Sequence, residues 1–140
     1  MSGAEALAHA ERAAALLARD PRILLVYVFG SAVAAGRSQA RDVDLAILTD
    51  AALSLDELMR LRADLVDATR APIDVISLND ASIILAHEVT DSGRCLYARR
   101  PEVEVDFVTR ARARYWDFKP YRDVQWRQAG ERLAERQRGS

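Results

Sequence analysis

Apolar residues recur along this chain with two different periods, and the alternation between them divides it into elements. From Ala4 to Arg19, Leu7, Ala10, Ala14 and Leu17 fall on one helical stripe, and Asp20-Pro21 ends that helix. Ile23 to Phe29 is an unbroken β-branched and aromatic run between Pro21 and Gly30, which reads as a buried strand. A second strand spans Val43 to Leu48, with Val43, Leu45 and Ile47 filling one face. Ser54-Leu55-Asp56-Glu57 matches a capping box and opens a helix to about Thr69. Its Leu58, Leu61, Leu65 and Ala68 are expected to face inward. Ala71-Pro72 stops the helix, and Ile73 to Ser77 forms a third strand. Asn79 or Asp80 is the expected cap of the next helix, which runs to about Thr90 and ends at Gly93. Arg94 to Tyr97 is strand-like, and two helices are expected beyond Pro101, over roughly 102–118 and 121–137. The pattern implies an α/β (α+β) fold in one domain, 1–140, with a core over about 22–98 and a helical extension over about 101–137. A small mixed sheet carries the functional site on one face, with helices packed on the other.

Composition narrows the class. Half of the 140 residues are hydrophobic and 29% are charged, a globular balance. The net charge of −1 gives no global drive towards nucleic acid or an anionic membrane. It is unevenly spread, with 9 basic and 14 acidic residues over 1–97 and 11 and 7 over 98–140. A lone Cys95, with only His9 and His87, excludes a disulfide framework and a zinc site of the usual kind. Cys95 reads as a structural thiol in a strand. No apolar stretch of 18 residues and no signal peptide is evident, so a cytoplasmic location is expected.

The chemistry concentrates between residues 30 and 74. A strand that stops at Gly30-Ser31 leaves backbone N–H groups free. Ala32 to Ala35 can form one helical turn, with Ser31 as its cap and Gly36 closing it. The N-terminus of such a turn attracts anions. Beyond ten intervening residues after Ser31 come Asp42 and Asp44, two apart and therefore on one face of the second strand. Adjacent carboxylates repel unless a cation lies between them, and Mg²⁺ favours one or two carboxylates completed by phosphate oxygens. Cradle and carboxylates together point to a nucleoside triphosphate. Asp74 is the only acid in an otherwise apolar strand: it either lies on a solvent-facing strand surface or completes the metal site and takes a proton from an attacking hydroxyl.

On these residues the chain resembles the minimal nucleotidyltransferases of the DNA polymerase β superfamily. The segment Asp44-Leu45-Ala46-Ile47-Leu48 and the run Tyr115-Trp116-Asp117-Phe118-Lys119-Pro120 narrow the likeness to MntA-type antitoxins, which are paired with HEPN-domain ribonuclease toxins. The resemblance implies the polymerase-β-like nucleotidyltransferase fold and an enzyme that uses ATP and one or two Mg²⁺ ions. It would transfer AMP to a tyrosine hydroxyl of its HEPN partner and silence it, in a hetero-oligomer. It assigns Gly30 and Ser31 to the triphosphate, Asp42 and Asp44 to the metals, and Asp74 to the metal site and the acceptor. Two positions depart from the family pattern. Ala35 stands where an Arg is common, with Arg37 as the substitute phosphate contact, and Arg41 replaces a Ser before the first Asp.

Other features read more plainly. Arg110 to Trp116 mixes cations and aromatics as RNA-binding segments do, but Phe107, Ala111 and Tyr115 share one helical stripe, which favours packing against the core or a partner. No direct nucleic-acid contact is expected, and a protein partner is the expected ligand of the C-terminal helices and Trp126. His87 is assigned no role. Two alternatives stay open: a small-molecule nucleotidyltransferase of the antibiotic-modifying type, and a non-catalytic antitoxin acting by complex formation.

Overall fold

The computed structural model describes residues 1–33 and 39–138. Helix α1 (Gly3–Leu17) opens on a complete capping box, in which Ser2 and Glu5 each accept from the other's backbone N–H. Strand β1 (Ile23–Phe29) leads into a 3₁₀ turn at Gly30–Ala32, and β2 (Val43–Thr49) follows. Then come α2 (Leu55–Thr69), β3 (Ile73–Ser77), α3 (Ile83–Ser92), β4 (Arg94–Ala98) and α4 (Pro101–Arg138). The strands lie in the order β3-β2-β1-β4. β2 runs parallel to β3 and antiparallel to β1, and β1 is antiparallel to β4. The sheet is therefore mixed, as the sequence implies.

Strand alternation sorts the core into two layers. Val43, Leu45, Ile47 and Ile73 are buried against Ala6, Ala10, Ala13, Ala14 and Leu17 of α1 and Leu65 of α2. Four alanines on one stripe let α1 lie close to the sheet. Leu25, Tyr27 and Ala46 are buried on the opposite face with Val89 of α3, and Phe107 of α4 packs on them. Helices thus pack on both faces, where one was expected, because α3 and α4 cover the face opposite α1 and α2. Arg22 ties the start of β1 to α2 through ion pairs of 2.8 Å to both Asp20 and Glu57. The hydrogen bond from Arg22 holds the Asp20 carboxyl below its ordinary range.

Several local expectations need correction. The cap of α3 is Ser82, whose hydroxyl accepts from the Leu85 N–H at 3.1 Å, rather than Asn79 or Asp80. Asn79 is occupied elsewhere, accepting from the Thr49 N–H at 3.0 Å and donating to the Thr49 carbonyl at 2.8 Å. It thereby closes the end of β2. In α2, Ala68 is exposed and Thr69 takes the buried position, its hydroxyl donating to the Leu65 carbonyl at 2.7 Å. α4 is one helix of 38 residues that passes through Pro120, not two helices. A proline removes one helical hydrogen bond and crowds the preceding turn. Here Trp116 and Pro120 are exposed, so water can satisfy the freed carbonyl. Aromatic contacts bridge the site, with Phe118 and Tyr121 6.2 Å apart and the Lys119 ammonium over the Trp116 ring. The Phe107, Ala111 and Tyr115 stripe does pack inward, and Tyr115 stacks on His87 at 3.6 Å.

Candidate active site

The end of β1 and the beginning of β2 are antiparallel neighbours, and their register pairs Phe29 with Asp44. The next residue, Gly30, has φ +74°, a conformation that side chains other than glycine rarely tolerate. A Cβ at Gly30 would fall 2.5 Å from Asp44 Oδ2. Both conditions demand glycine, because the carboxylate rests directly against the turn. The turn itself starts two residues earlier than expected, with Phe29 in the capping position and no side-chain cap. Ser31 is therefore inside the turn and is not its cap. Its hydroxyl donates to the Asp42 carbonyl at 3.4 Å, which joins turn and acidic segment. Arg37, with Ala34, Ala35 and Gly36, lies outside the described residues.

Asp42 is exposed and immediately precedes β2, while Asp44 is half-buried within it. Parallel pairing of β2 with β3 sets Asp44 beside Asp74. Adjacent positions on parallel strands project to the same face, so the three predicted acids gather at one end of the sheet. The Asp44 carboxyl is held above its ordinary range, first by burial and then by the charges of Asp74, Asp42 and Glu88 of α3. A negative charge is costly at this point until a cation arrives. Among the described residues no three His, Cys, Asp or Glu side chains form a closed metal cluster. The donor set still fits a hard cation: carboxylate oxygens with excess negative charge, beside a glycine turn that leaves room for a ligand. Asp42 and Asp44 would hold it, with Asp74 adjacent.

The sequence reading missed the cation already present. Arg62 of α2 reaches over the free edge of β3, placing Nη2 2.9 Å from Asp74 Oδ1 and donating from Nε to the Ile73 carbonyl at 3.0 Å. A cleft of about 350 Å³ is bordered by Asp44, Asp74, Leu55, Met59 and Arg62. A larger cleft of about 730 Å³ lies along the outer side of α2, with Met59, Arg62, Val66 and Arg70, and includes none of the three acids. Cys95 is half-buried, and burial pushes its thiol up to about 11, which agrees with a structural role. Among the described residues no helix is long and apolar enough to cross a membrane.

Comparison with known proteins gives a consistent result. Residues 11–102 match the family model described as polymerase beta, nucleotidyltransferase. A protein from Shewanella oneidensis named protein adenylyltransferase MntA is 32% identical over 93 residues, covering 64% of this chain and 66% of that protein. The matched segment thus spans just under two thirds of the relative's length. A chain of a toxin–antitoxin crystal structure with AMP-PNP superposes with a TM-score of 0.74 at 23% identity, covering 85% of this chain and 97% of that one. A chain from the complex of tri-AMPylated Shewanella oneidensis HEPN toxin with MNT antitoxin gives 0.71 at 22% identity, covering 89% and 98%. At these identities the structural likeness establishes the fold.

Proposed function

The chain belongs to the polymerase beta nucleotidyltransferase family, and from that premise we propose that it is a Mg²⁺-dependent protein adenylyltransferase. It transfers AMP from ATP to a tyrosine hydroxyl of a HEPN-domain ribonuclease partner and so acts as that partner's antitoxin. The likeness to MntA and to chains from toxin–antitoxin complexes supports the choice of acceptor and partner. The observation that carries the reading is the meeting of the Gly30 turn, Asp44 and Asp74 at one end of the sheet. With ATP as the substrate and a ribonuclease as the partner, the proposed place of action is the cytoplasm.

The residues divide the work by position. Gly30 and Ser31 offer backbone N–H groups to the triphosphate, and Arg37 is the candidate for a further phosphate contact. Asp42 and Asp44 would hold the metal, with Asp74 able to share it from the neighbouring strand. Bound Mg²⁺ supplies charge neutralisation at the α-phosphate and at the departing pyrophosphate. Asp74 accepts the proton of the attacking phenol, whose free pKa is near 10. A bond forms between the phenolic oxygen and the α-phosphorus as the α–β phosphoanhydride bond breaks. The products are tyrosyl-AMP and pyrophosphate. No side chain of this protein forms a covalent intermediate.

The test is pyrophosphate release that requires the partner. With ATP, Mg²⁺ and the proposed HEPN partner, the wild type releases pyrophosphate in proportion to the partner added. Asp42→Asn/Asp44→Asn reduces the rate by at least ~100-fold, the scale expected when electrostatic transition-state stabilisation is removed. Release that proceeds equally well without the partner would move the reading to a small-molecule acceptor or to simple hydrolysis.

A further inference from the structure

The core-facing side of α2 runs through Leu58, Leu61 and Leu65, but the helix has a second stripe. Leu55, Met59 and Arg62 stand at i, i+4 and i+7, one above another on the same side of the helix. Leu55 is 71% exposed and Met59 53%, so neither serves the core. Single exposed apolar residues are ordinary, whereas these two border the same cleft as Asp44 and Asp74. Met59 and Arg62 also border the neighbouring cleft along α2, so the wall continues beyond the acids.

Arg62 has a geometric task. Its ion pair with Asp74 is 48% exposed on both sides, and such pairs contribute little to stability. The guanidinium is nonetheless held at two points, on the Asp74 carboxylate and on the Ile73 carbonyl. It occupies Oδ1 of Asp74 and leaves Oδ2 without a protein partner among the described residues. Strand order adds the direction. The Gly30 turn follows β1 on one side of Asp44, and Asp74 lies on β3 on the other. In-line transfer needs the departing pyrophosphate and the attacking hydroxyl on opposite sides of the α-phosphorus. If the triphosphate lies on the β1 side, the acceptor enters on the β3 side, along α2.

We propose that the Leu55, Met59 and Arg62 stripe is the acceptor wall of the site: Leu55 and Met59 seat the aromatic ring of the partner's tyrosine, and Arg62 is a positioning residue that fixes Asp74 through Oδ1 and leaves Oδ2 for the phenolic hydroxyl. This rests on the adenylyltransferase reading. The chemistry of the wall selects the occupant. Two apolar side chains suit an aromatic ring, and a fixed guanidinium disfavours a polycationic small molecule.

The experiment compares full-length wild type, Leu55→Ser/Met59→Ser, Arg62→Ala and Arg62→Lys in steady-state AMP transfer to the intact partner. Mn²⁺ and AMP-PNP affinities and thermal melts are measured on the same preparations. Leu55→Ser/Met59→Ser should raise the KM for the partner by about ten-fold, with AMP-PNP affinity unchanged. Arg62→Ala should lower kcat by about ten-fold with an unchanged melt, and Arg62→Lys should restore part of it. Arg62→Ala should also tighten Mn²⁺ binding several-fold, since a competing cation has gone. Unchanged partner KM in the double variant, or unchanged kcat and Mn²⁺ affinity in Arg62→Ala, would overturn the acceptor wall while leaving the wild-type activity in place. A wild type that transfers no AMP to the partner would overturn the function itself and the wall with it.

Discussion

Asp44 concentrates the conflict between stability and function in one side chain. Burial and three neighbouring acids raise its pKa, so the folded state holds the proton more tightly than the unfolded chain does. The stabilisation from that proton is present below the unfolded carboxylate range, about pH 4, and is lost as pH rises through the raised folded value. Above that raised value the ionised carboxylate is a net cost. Asp44→Asn should therefore melt higher than the wild type at pH 7 without metal, by on the order of 2 °C, and the gain should vanish below about pH 4. Mg²⁺ should stabilise the wild type and leave Asp44→Asn nearly unaffected; calorimetry at the two pH values reads both effects. Gly30 shows the converse, a residue whose replacement costs fold and site together. Gly30→Ala must accommodate φ +74° and a Cβ 2.5 Å from Asp44 Oδ2. A loss of about 1–3 kcal/mol is expected in a urea titration, together with loss of AMP transfer. A stable and active Gly30→Ala would mean that the turn and Asp44 do not need their close approach.

At the scale of elements, legibility follows the range of the interactions. β1, β2 and β3 are readable because runs of apolar residues and their flanking Pro and Gly are local signals. The capping box at Ser54 is local too, and α2 begins where it predicts. Ser82 caps α3 in place of Asn79 because the Asn79 amide is committed to Thr49, 30 residues away. Pro120 frees one helical carbonyl, and exposure of that turn lets water satisfy it. The same exposure gives α4 its second character. Beyond Lys119 it carries Tyr121, Val124, Trp126 and Leu133 on solvent-facing surface, 40–75% exposed. Large aromatic side chains of this kind anchor protein interfaces. Ending the chain after Lys119 should leave the two core layers folded and weaken binding of the proposed HEPN partner by at least ~10-fold, read by titration calorimetry. Unchanged affinity would assign partner recognition to the core.

For the molecule as a whole, the sheet order turns scattered acids into a site. Asp44 and Asp74 are 30 positions apart in sequence and become neighbours through the parallel pairing of β2 and β3. The order of strand, Gly-Ser, loop, acidic pair and later strand Asp is legible in the chain because each piece ends or begins a strand. Arg62, Glu88, Leu55 and Met59 are not legible as neighbours of the acids, since each comes from a helix and ordinary helix patterning explains its presence. Met59 and Leu55 did carry one signal: two large apolar residues off the core-facing stripe of α2. Together the two core layers hold the strand ends in register, and the open end of the sheet exposes the acids beside α2. Transfer of AMP from this end of the sheet to a protein hydroxyl is read from the intact mass of the proposed HEPN partner after incubation with the protein, ATP and Mg²⁺. The expected spectrum shows the partner heavier by one or more AMP groups on tyrosine, and unmodified when Asp42→Asn/Asp44→Asn replaces the wild type. A partner bound in a stable complex at its original mass would contradict it and identify a protein that acts by binding alone.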